Sequence, residues 1–189
     1  PHPKKVLLDV AGGTGDIATR YRSRGGGKVF VCDINQSMLE AGKAKIEKKS
    51  DPENIEWICG DAESLPVSDR SVDAYTIAFG LRNVTSIPNA LREARRVLRP
   101  GGRFLCLEFS KPAIAFINPI YDAYSFKILP EIGDFVANDR NAYKYLVESI
   151  RKFPDQIDLE QHINSAGLEK SSYRNLSGGI AAIHSAWRL

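Results

Sequence analysis

A glycine-rich turn flanked by acidic residues is the part of this sequence whose residue types and spacing could do chemistry. Residues 6–16 read VLLDVAGGTGD, an apolar strand followed by a glycine loop and the start of a helix. Glycines at such a turn let the backbone pass close to a bound nucleotide, and N–H groups of the following helix point into the pocket. Residues 13–18 also fit the dinucleotide template G-x-G-x-x-G/A, so the glycines alone leave the nucleotide open.

The acidic residues beside this loop favour a cationic ligand. Asp9 and Asp16 lie on either side of the glycines, where each would repel a pyrophosphate by roughly 1 to 4 kcal/mol at effective dielectrics from 80 to 20. The same carboxylates would attract a sulfonium or an ammonium group. S-adenosylmethionine has both groups and an adenosine, so the sequence favours it as the cofactor. The residues predicted to bind it at this loop are Asp9, Gly12, Gly13, Thr14 and Gly15.

Two further acidic residues follow the next predicted strands. Residues 28–32 and 55–59 are short apolar runs that predict strands, and they lead into Asp33 and Asp61. Asp33, about 20 residues after the loop, can accept both ribose hydroxyls, a feature that NAD-binding proteins share. Asp61 could accept from an adenine amino group. Both would lie at the carboxyl edge of one parallel sheet, where open α/β sheets bind ligands; the alternative is that both only cap their loops.

The remaining elements alternate between helices and strands. Ser37 and Glu40 predict a capping box that opens a helix ending at the basic pair 48–49. Asp155 predicts the cap of a later helix that ends at Gly167. Further strands are predicted at residues 72–79, 103–108, 170–176 and 180–189, a helix at 87–98, and turns at 100–102 and 177–179. The last turn predicts a hairpin, so the final strand should be antiparallel.

Composition limits the classes of protein to consider. The chain has 189 residues with 43% apolar content, enough for one core and one domain. Its net charge of +3 is too small for a dedicated nucleic-acid binder, and no run of about 20 apolar residues predicts a membrane span. Cys32, Cys59 and Cys106 lie in or at the ends of apolar strands without C-x-x-C spacing, so we interpret them as buried thiols in a reducing compartment, with no metal site.

Longer motifs resemble one enzyme family. The first half is similar to class I S-adenosylmethionine-dependent methyltransferases in general. The closer resemblance is to the ubiquinone/menaquinone biosynthesis C-methyltransferases, the UbiE type. It is carried by residues 11–16 (AGGTGD), 79–84 (FGLRNV), 96–112 (RVLRPGGRFLCLEFSKP), 121–126 and 145–151. It covers nearly the whole chain, with one small departure, Arg99, where the family usually has Lys.

The resemblance implies an α/β fold. This would be a Rossmann-like class I methyltransferase, with a seven-stranded, mostly parallel sheet, an antiparallel last strand and helices on both faces. It implies a single domain over residues 1–189, with residues 111–150 as a substrate-side insertion. In the family, a helical segment precedes the first strand; residues 1–5 lead directly into the strand here, so we expect that segment to be missing from this chain. Ile34, Ala62 and Ala78 join the expected contacts of the cofactor, S-adenosylmethionine.

The resemblance also implies a reaction. The family methylates a ring carbon of a polyprenylated benzoquinol, 2-methoxy-6-polyprenyl-1,4-benzoquinol, in ubiquinone biosynthesis, and many bacterial members also methylate demethylmenaquinone. Mitochondrial members work at the matrix face of the inner membrane with other ubiquinone-biosynthesis proteins, and homodimers occur. Residues 78–80 (AFG) and 104–108 (FLCLE) favour the mitochondrial branch over a bacterial cytoplasmic member. A nicotinamide-dependent oxidoreductase and a non-catalytic scaffold are the alternatives of other classes.

Methylation of a ring carbon requires that a neighbouring phenol, with a pKa near 10, loses or shares its proton. Arg82, in the loop after the fourth strand, is the predicted cation beside the developing anion, and Asn83 the predicted hydrogen-bond partner of the ring oxygen or a water. Arginine is too weak an acid to serve as the base, so the proton should pass to water or a carboxylate. The alternative is that Arg82 pairs with an acid such as Asp61 and only holds the loop.

The aromatic-rich insertion supplies the candidates for holding the acceptor ring. A long insertion after a strand at the ligand edge is commonly a substrate lid, although it could equally form a helical layer on the sheet. The predicted substrate-binding residues are Tyr121, Tyr124, Asn138 and Tyr143, with Asp122 and Asp139 beside them.

Overall fold

A seven-stranded sheet forms the centre of the computed structural model, which describes residues 1–47, 54–110 and 140–189. The strands are β1 (Leu7–Val10), β2 (Val29–Asp33), β3 (Ile55–Cys59), β4 (Val72–Ala78), β5 (Leu98–Phe109), β6 (Glu169–Leu176) and β7 (Ala181–Arg188). Their order across the sheet is β3-β2-β1-β4-β5-β7-β6. Neighbouring strands from β3 to β5 pair in parallel, whereas β7 is antiparallel to both β5 and β6.

The strand order reverses direction beside β1, and this reversal locates the site. From β1 the chain steps outward to β2 and β3, and then returns to place β4 on the other side of β1. The loops that leave the carboxyl ends of β1 and β4 therefore run in opposite directions and leave a crevice between them. Open α/β sheets bind their ligands at this kind of switch point.

Helices cover both faces of the sheet. They are α1 (Asp16–Ser23), α2 (Gln36–Glu47), α3 (Ile87–Val97), α4 (Arg140–Lys152) and α5 (Gln156–Ser165), with 3₁₀ turns at Leu81–Asn83 and Ser177–Gly179. Alternate residues of β1 point to opposite faces, so Leu7 packs with the cluster of α1 and α2, and Leu8 with that of α3 and α5. The expected mostly parallel seven-stranded sheet with an antiparallel last strand is confirmed. No helix in the described ranges is both long and apolar enough to cross a bilayer.

Three sequence expectations about the elements were wrong. The capping box fails because α2 begins two residues earlier than a Ser37 cap requires: Asn35 caps it by accepting a hydrogen bond from the Met38 N–H at 3.2 Å, which leaves Ser37 inside the helix. Strand β5 begins at Leu98 instead of residue 103, because Leu98 pairs with Val72 before a register shift. Cys59 is exposed, whereas Cys32 and Cys106 are buried as expected. The Asp155 cap is confirmed, since its side chain accepts from the Ile157 and Asp158 N–H groups.

Candidate functional site

A cleft of about 330 Å³ lies at the carboxyl edge of β1 to β4. Six residues predicted from the sequence line it: Gly13, Asp33, Ile34, Asp61, Ala62 and Asn83. The structure adds ten that the sequence did not assign to the cofactor site: Val10, Ala11, Met38, Gly60, Glu63, Ile77, Phe79, Gly80, Val84 and Thr85. Ala78 does not line the cleft, although its neighbours Ile77 and Phe79 do.

Asp33 is held by two backbone N–H groups. Its Oδ2 accepts from the Gly13 N–H at 2.9 Å, and its Oδ1 accepts from the Asn35 N–H at 2.9 Å. The first bond joins the end of β2 to the glycine loop that follows β1. A carboxylate has about four acceptor positions, so two remain for groups inside the cleft. This geometry suits a pair of neighbouring hydroxyls such as those of a ribose.

Asp61 lies in a turn after β3 that is tied to the loop after β4. Its Oδ1 accepts from the Glu63 N–H at 2.9 Å, and Glu63 in turn accepts from the Thr85 N–H at 2.7 Å. These bonds fix the wall of the cleft opposite the glycine loop. One oxygen of Asp61 remains available to an amino group inside the cleft.

Asp9 lies beneath the glycine loop and does not line the cleft. Only 1% of the residue is exposed. Its Oδ1 accepts from the Thr76 hydroxyl at 2.7 Å, and its Oδ2 has no partner among the described residues. The pKa of Asp9 is raised to about 7, because the effect of burial, with a smaller contribution from the neighbouring Asp33, outweighs the lowering by the Thr76 hydrogen bond. A cation bound above the loop would favour the ionised form.

Gly12 separates Asp9 from the surface of the loop. A Cβ atom on Gly12 would lie 3.1 Å from Asp9 Oδ2 and 2.7 Å from a Val31 methyl group, so the backbone fits there only without a side chain. Gly15 has φ 75° and precedes α1 directly, a conformation that favours glycine. Gly12, Thr14 and Gly15 shape the loop but do not line the cleft.

Asp16 faces away from this site. Its carboxylate bonds Lys45 Nζ at 2.9 Å and the Thr14 hydroxyl at 3.1 Å, and it is largely exposed. The bond from Lys45 lowers the pKa of Asp16. Because Lys45 balances its charge, Asp16 does not repel an anion in the way that the sequence argument expected. The carboxylates that favour a cationic ligand at this site are therefore those of Asp33 and the buried Asp9.

Arg82 forms a buried ion pair, and its partner is Glu108 instead of Asp61. Arg82 Nη1 lies 3.0 Å from Glu108 Oε2 and 3.2 Å from Oε1. The Arg82 N–H also donates to Oε1 at 3.1 Å, and the Phe109 N–H donates to Oε2 at 3.1 Å. The two side chains are 11% and 1% exposed. Burial raises the pKa of Glu108, and Arg82 lowers it.

The guanidinium of Arg82 is fixed by aromatic contacts as well. Its Cζ lies 5.9 Å from the ring centre of Phe79 and 5.3 Å from that of Phe109, and Nη1 also donates to the Phe79 carbonyl. Among the described residues, every hydrogen bond from the Arg82 side chain comes from Nη1. The Nε atom is buried and has no hydrogen-bond partner among these residues. The arginine holds a positive charge in place and keeps Nη2 available.

A second cavity of about 450 Å³ adjoins the cleft. Val84 and Thr85 line both spaces, and Arg82 lines the second one together with residues of α3, α4 and α5. Asn83 lines the first space, and its Oδ1 accepts a hydrogen bond at 3.1 Å from the hydroxyl of Tyr145, which lines the second. The 3₁₀ turn at Leu81–Asn83 thus brings the two predicted catalytic residues to the boundary between the cavities.

Several predicted substrate residues cannot be assigned a position in this arrangement. Tyr121, Tyr124 and Asn138 lie outside the described residues, as do Asp122 and Asp139. Tyr143 lies in α4, but its side chain is not described.

Glu108 and Tyr145 are site residues that the sequence reasoning missed. Glu108 left one usable signal, since it is a single acid within the apolar strand run 104–109. Such a residue is buried only when it is paired. Tyr145 begins the family-like motif 145–151, but that motif did not indicate a contact with Asn83, which lies 62 residues away in the chain.

The chain is similar to known proteins over its whole length. The model of the ubiE/COQ5 methyltransferase family matches residues 1–188. The ubiquinone/menaquinone biosynthesis C-methyltransferase UbiE of Acidiphilium cryptum is 55% identical over 100% of this chain and 76% of its own length. The protein of the same name from Paracoccus denitrificans is 54% identical over the same shares.

Solved structures agree on the fold. A chain in the complex between the Haloferax volcanii Trm112 methyltransferase activator and the putative methyltransferase aligns with a TM-score of 0.73 at 15% identity, covering 99% of this chain and 84% of that one. A SAM-dependent methyltransferase from Aquifex aeolicus aligns with a TM-score of 0.71 at 18% identity, covering 98% and 82%. The sheet is therefore that of class I S-adenosylmethionine-dependent methyltransferases.

Asp33→Asn should weaken the binding of S-adenosylhomocysteine by roughly 10- to 100-fold, because hydrogen bonds to a charged acceptor contribute about 1.5 to 3 kcal/mol. Isothermal titration calorimetry measures the change. Asp69→Asn is the matched control, since Asp69 is exposed and pairs with Arg96 away from the cleft. Equal affinity of the Asp33 variant and the parent protein would contradict the ribose assignment.

Asp9→Asn should stabilise the ligand-free protein at high pH. The pKa of Asp9 is about 7 in the folded protein and 3.8 in the unfolded chain, so the protonated carboxyl contributes to the free energy of unfolding. This contribution is fully present below pH 3.8 and is lost as the pH rises through about 7. The advantage of the variant in the free energy of unfolding should therefore grow by about 3 kcal/mol from pH 5 to pH 8.

Urea unfolding at the two pH values measures this difference. Asp16→Asn, which removes an exposed carboxylate of the same segment, should show no comparable increase. A pH-independent effect of Asp9→Asn would mean that the Asp9 carboxyl titrates normally in the folded protein.

Proposed function

Because this chain belongs to the ubiE/COQ5 methyltransferase family, we propose that it methylates a ring carbon of 2-methoxy-6-polyprenyl-1,4-benzoquinol. Family membership makes it an S-adenosylmethionine-dependent C-methyltransferase of ubiquinone/menaquinone biosynthesis. The names of its relatives cover both quinone classes, so demethylmenaquinone is the second candidate acceptor.

The cofactor occupies the cleft between the glycine loop and the loop after β3. Asp33 receives the ribose hydroxyls, because its two remaining acceptor positions face the cleft. Ile34 and Ala62 contact the adenine, and 72% exposure of Ile34 without a ligand supports a role in covering an apolar ring. The glycine loop, with Asp9 below it, would hold the methionine part and its ammonium group.

The observation that carries the acceptor assignment is the position of Arg82 between the two cavities. The acceptor ring lies in the second cavity, against Arg82, and its reactive carbon faces the cofactor across the shared residues Val84 and Thr85. Arg82 Nη2 and the Asn83 amide nitrogen donate hydrogen bonds to an oxygen of the acceptor ring. Fixed donors of this kind stabilise negative charge without reorganisation during the reaction.

Methyl transfer proceeds through the phenolate of the acceptor. The phenolic hydroxyl transfers its proton to water, and the electron pair delocalised onto the ring carbon forms the new bond to the methyl group. The sulfur–methyl bond breaks, and its electrons stay on sulfur to give S-adenosylhomocysteine. The methylated carbon loses its hydrogen as a proton to water, the ring becomes aromatic again as a phenolate, and the phenolate oxygen takes one proton back from water.

The carboxylate that pairs with Arg82 does not accept the phenolic proton. Glu108 is 1% exposed, and both of its oxygens already accept hydrogen bonds from Arg82 or Phe109. A base must reach the proton that it removes. Glu108 therefore acts by holding Arg82, and proton removal depends on the lowered phenol pKa beside the arginine and the sulfonium.

The proposal also includes residues that contact the acceptor, protein partners and a cellular location. Tyr121, Tyr124, Asn138 and Tyr143 are proposed to contact the acceptor from the insertion. Other ubiquinone-biosynthesis proteins and a second copy of the chain are the proposed partners. A mitochondrial location depends only on the residue choices at 78–80 and 104–108, while the relatives compared above are bacterial; it stays a prediction.

Arg82→Ala should lower methyl transfer to a short-tailed benzoquinol by about 10²-fold or more, because it removes the fixed cation beside the developing anion. Its affinity for S-adenosylhomocysteine should stay near that of the parent protein. The assay follows a labelled methyl group from the cofactor, with benzoquinol and naphthoquinol acceptors in parallel.

Two further variants keep this test interpretable. Arg82→Ala leaves Glu108 buried without its partner, which costs about 3 to 5 kcal/mol of stability, so Arg82→Lys retains a cation there and should fold normally with an intermediate rate. Arg92→Ala removes an exposed arginine of α3 and should change neither rate nor affinity. Unchanged turnover in Arg82→Ala would remove Arg82 from the mechanism, and a preference for the naphthoquinol would favour the second acceptor.

A further inference from the structure

The side chain of Asn83 has two different ends, and only one of them suits the proposed reaction. The amide nitrogen donates two hydrogen bonds, whereas the amide oxygen only accepts them. A ring oxygen that becomes negative is stabilised by the nitrogen end and repelled by the oxygen end. The role of Asn83 at the cleft therefore depends on which end faces the acceptor.

A hydrogen bond from α4 fixes this orientation. The Tyr145 hydroxyl donates to Asn83 Oδ1 at 3.1 Å. The Asn83 amide nitrogen makes no hydrogen bond to any other described residue, so its two hydrogens stay available. Because Asn83 lines the cofactor cleft and Tyr145 lines the second cavity, the bond crosses the boundary between them.

The packing of α4 does not depend on this tyrosine. Tyr145 is 58% exposed, so its ring contributes little to the core. The same segment is anchored by Val147 and Phe153, each 5% exposed. Loss of the Tyr145 hydroxyl should therefore leave α4 in place and release only the Asn83 amide.

We propose that Tyr145 is a positioning residue, whose hydroxyl holds Asn83 Oδ1 so that the amino group is turned to the cleft that Asn83 lines, where it donates to a ring oxygen at the boundary of the two cavities. This inference rests on the proposed methyl transfer and adds the residue that selects the donor end of Asn83. Without Tyr145 the amide can rotate, and in part of the molecules the carbonyl oxygen would face the developing anion.

A double-mutant cycle on the full chain tests the proposal. Asn83→Ala should lower kcat by about 10²-fold, since it removes the donor itself. Tyr145→Phe should lower kcat by about 10-fold, with the KM for S-adenosylmethionine and the melting temperature unchanged. The double variant should be no slower than Asn83→Ala alone, because a hydroxyl that acts only through Asn83 has nothing left to orient.

Two controls separate this contact from general effects on the protein. Asn83→Asp keeps an acceptor for the Tyr145 hydroxyl but presents a carboxylate oxygen to the ring, so it should be as slow as Asn83→Ala. Tyr173→Phe removes the hydroxyl of another partly exposed tyrosine, which lies in β6 with its ring centre 5.5 Å from that of His184, and should leave kcat unchanged.

The outcomes separate the two hypotheses. A fall in kcat for Asn83→Ala with an unaffected Tyr145→Phe variant would overturn the positioning role alone. So would a Tyr145→Phe effect that persists in full on the Asn83→Ala background, since that result would give Tyr145 an independent role. Absence of methyl transfer by the parent protein to either quinol would instead overturn the proposed function on which the inference rests.

Discussion

The buried carboxylate of Glu108 imposes the constraint on which the catalytic side of the molecule depends. A carboxylate with 1% exposure must have its acceptor positions satisfied. Glu108 sits near the end of β5, and its oxygens are satisfied from two directions, by the Arg82 side chain and N–H and by the Phe109 N–H. The loop after β4 is thereby tied to β5. Phe79, with its positive φ of 56°, and Asn83 take their positions from the same loop.

The cofactor side uses two aspartates in contrasting environments. Asp33 lies at the cleft, and hydrogen bonds from two backbone N–H groups fix the orientation of its carboxylate. Asp9 is buried below the loop with one oxygen unpaired, and its pKa rises to about 7. The first is therefore ready before the ligand arrives, whereas the second becomes fully charged only when a cation is close. Both residues are aspartates, so their different surroundings account for their different roles at the cofactor site.

Residues tied to a local pattern could be predicted from the sequence, and residues that depend on distant partners could not. Asp33 follows an apolar strand at a fixed distance from the glycine loop, so its position at the sheet edge followed from the strand alone. Arg82 was found through its motif, but the alternative that paired it with Asp61 named the wrong acid, because nothing local to either residue shows that Glu108, 26 residues further along the chain, packs beside it. Ser37 failed for a local reason, since Asn35 competes for the same cap. Tyr145 depends wholly on how α4 packs against the loop after β4.

The pairing of Arg82 with Glu108 also resolves a conflict of charges. A free arginine beside the cofactor would repel its sulfonium and oppose binding. Glu108 compensates the guanidinium from the side of β5, so the pair carries no net charge and acts as an oriented dipole whose positive end lies at the second cavity. Such a dipole repels the cofactor less than an isolated cation would, yet still attracts negative charge that develops close to its positive end. The same ion pair thus permits a cationic cofactor and an anionic acceptor to meet in one site.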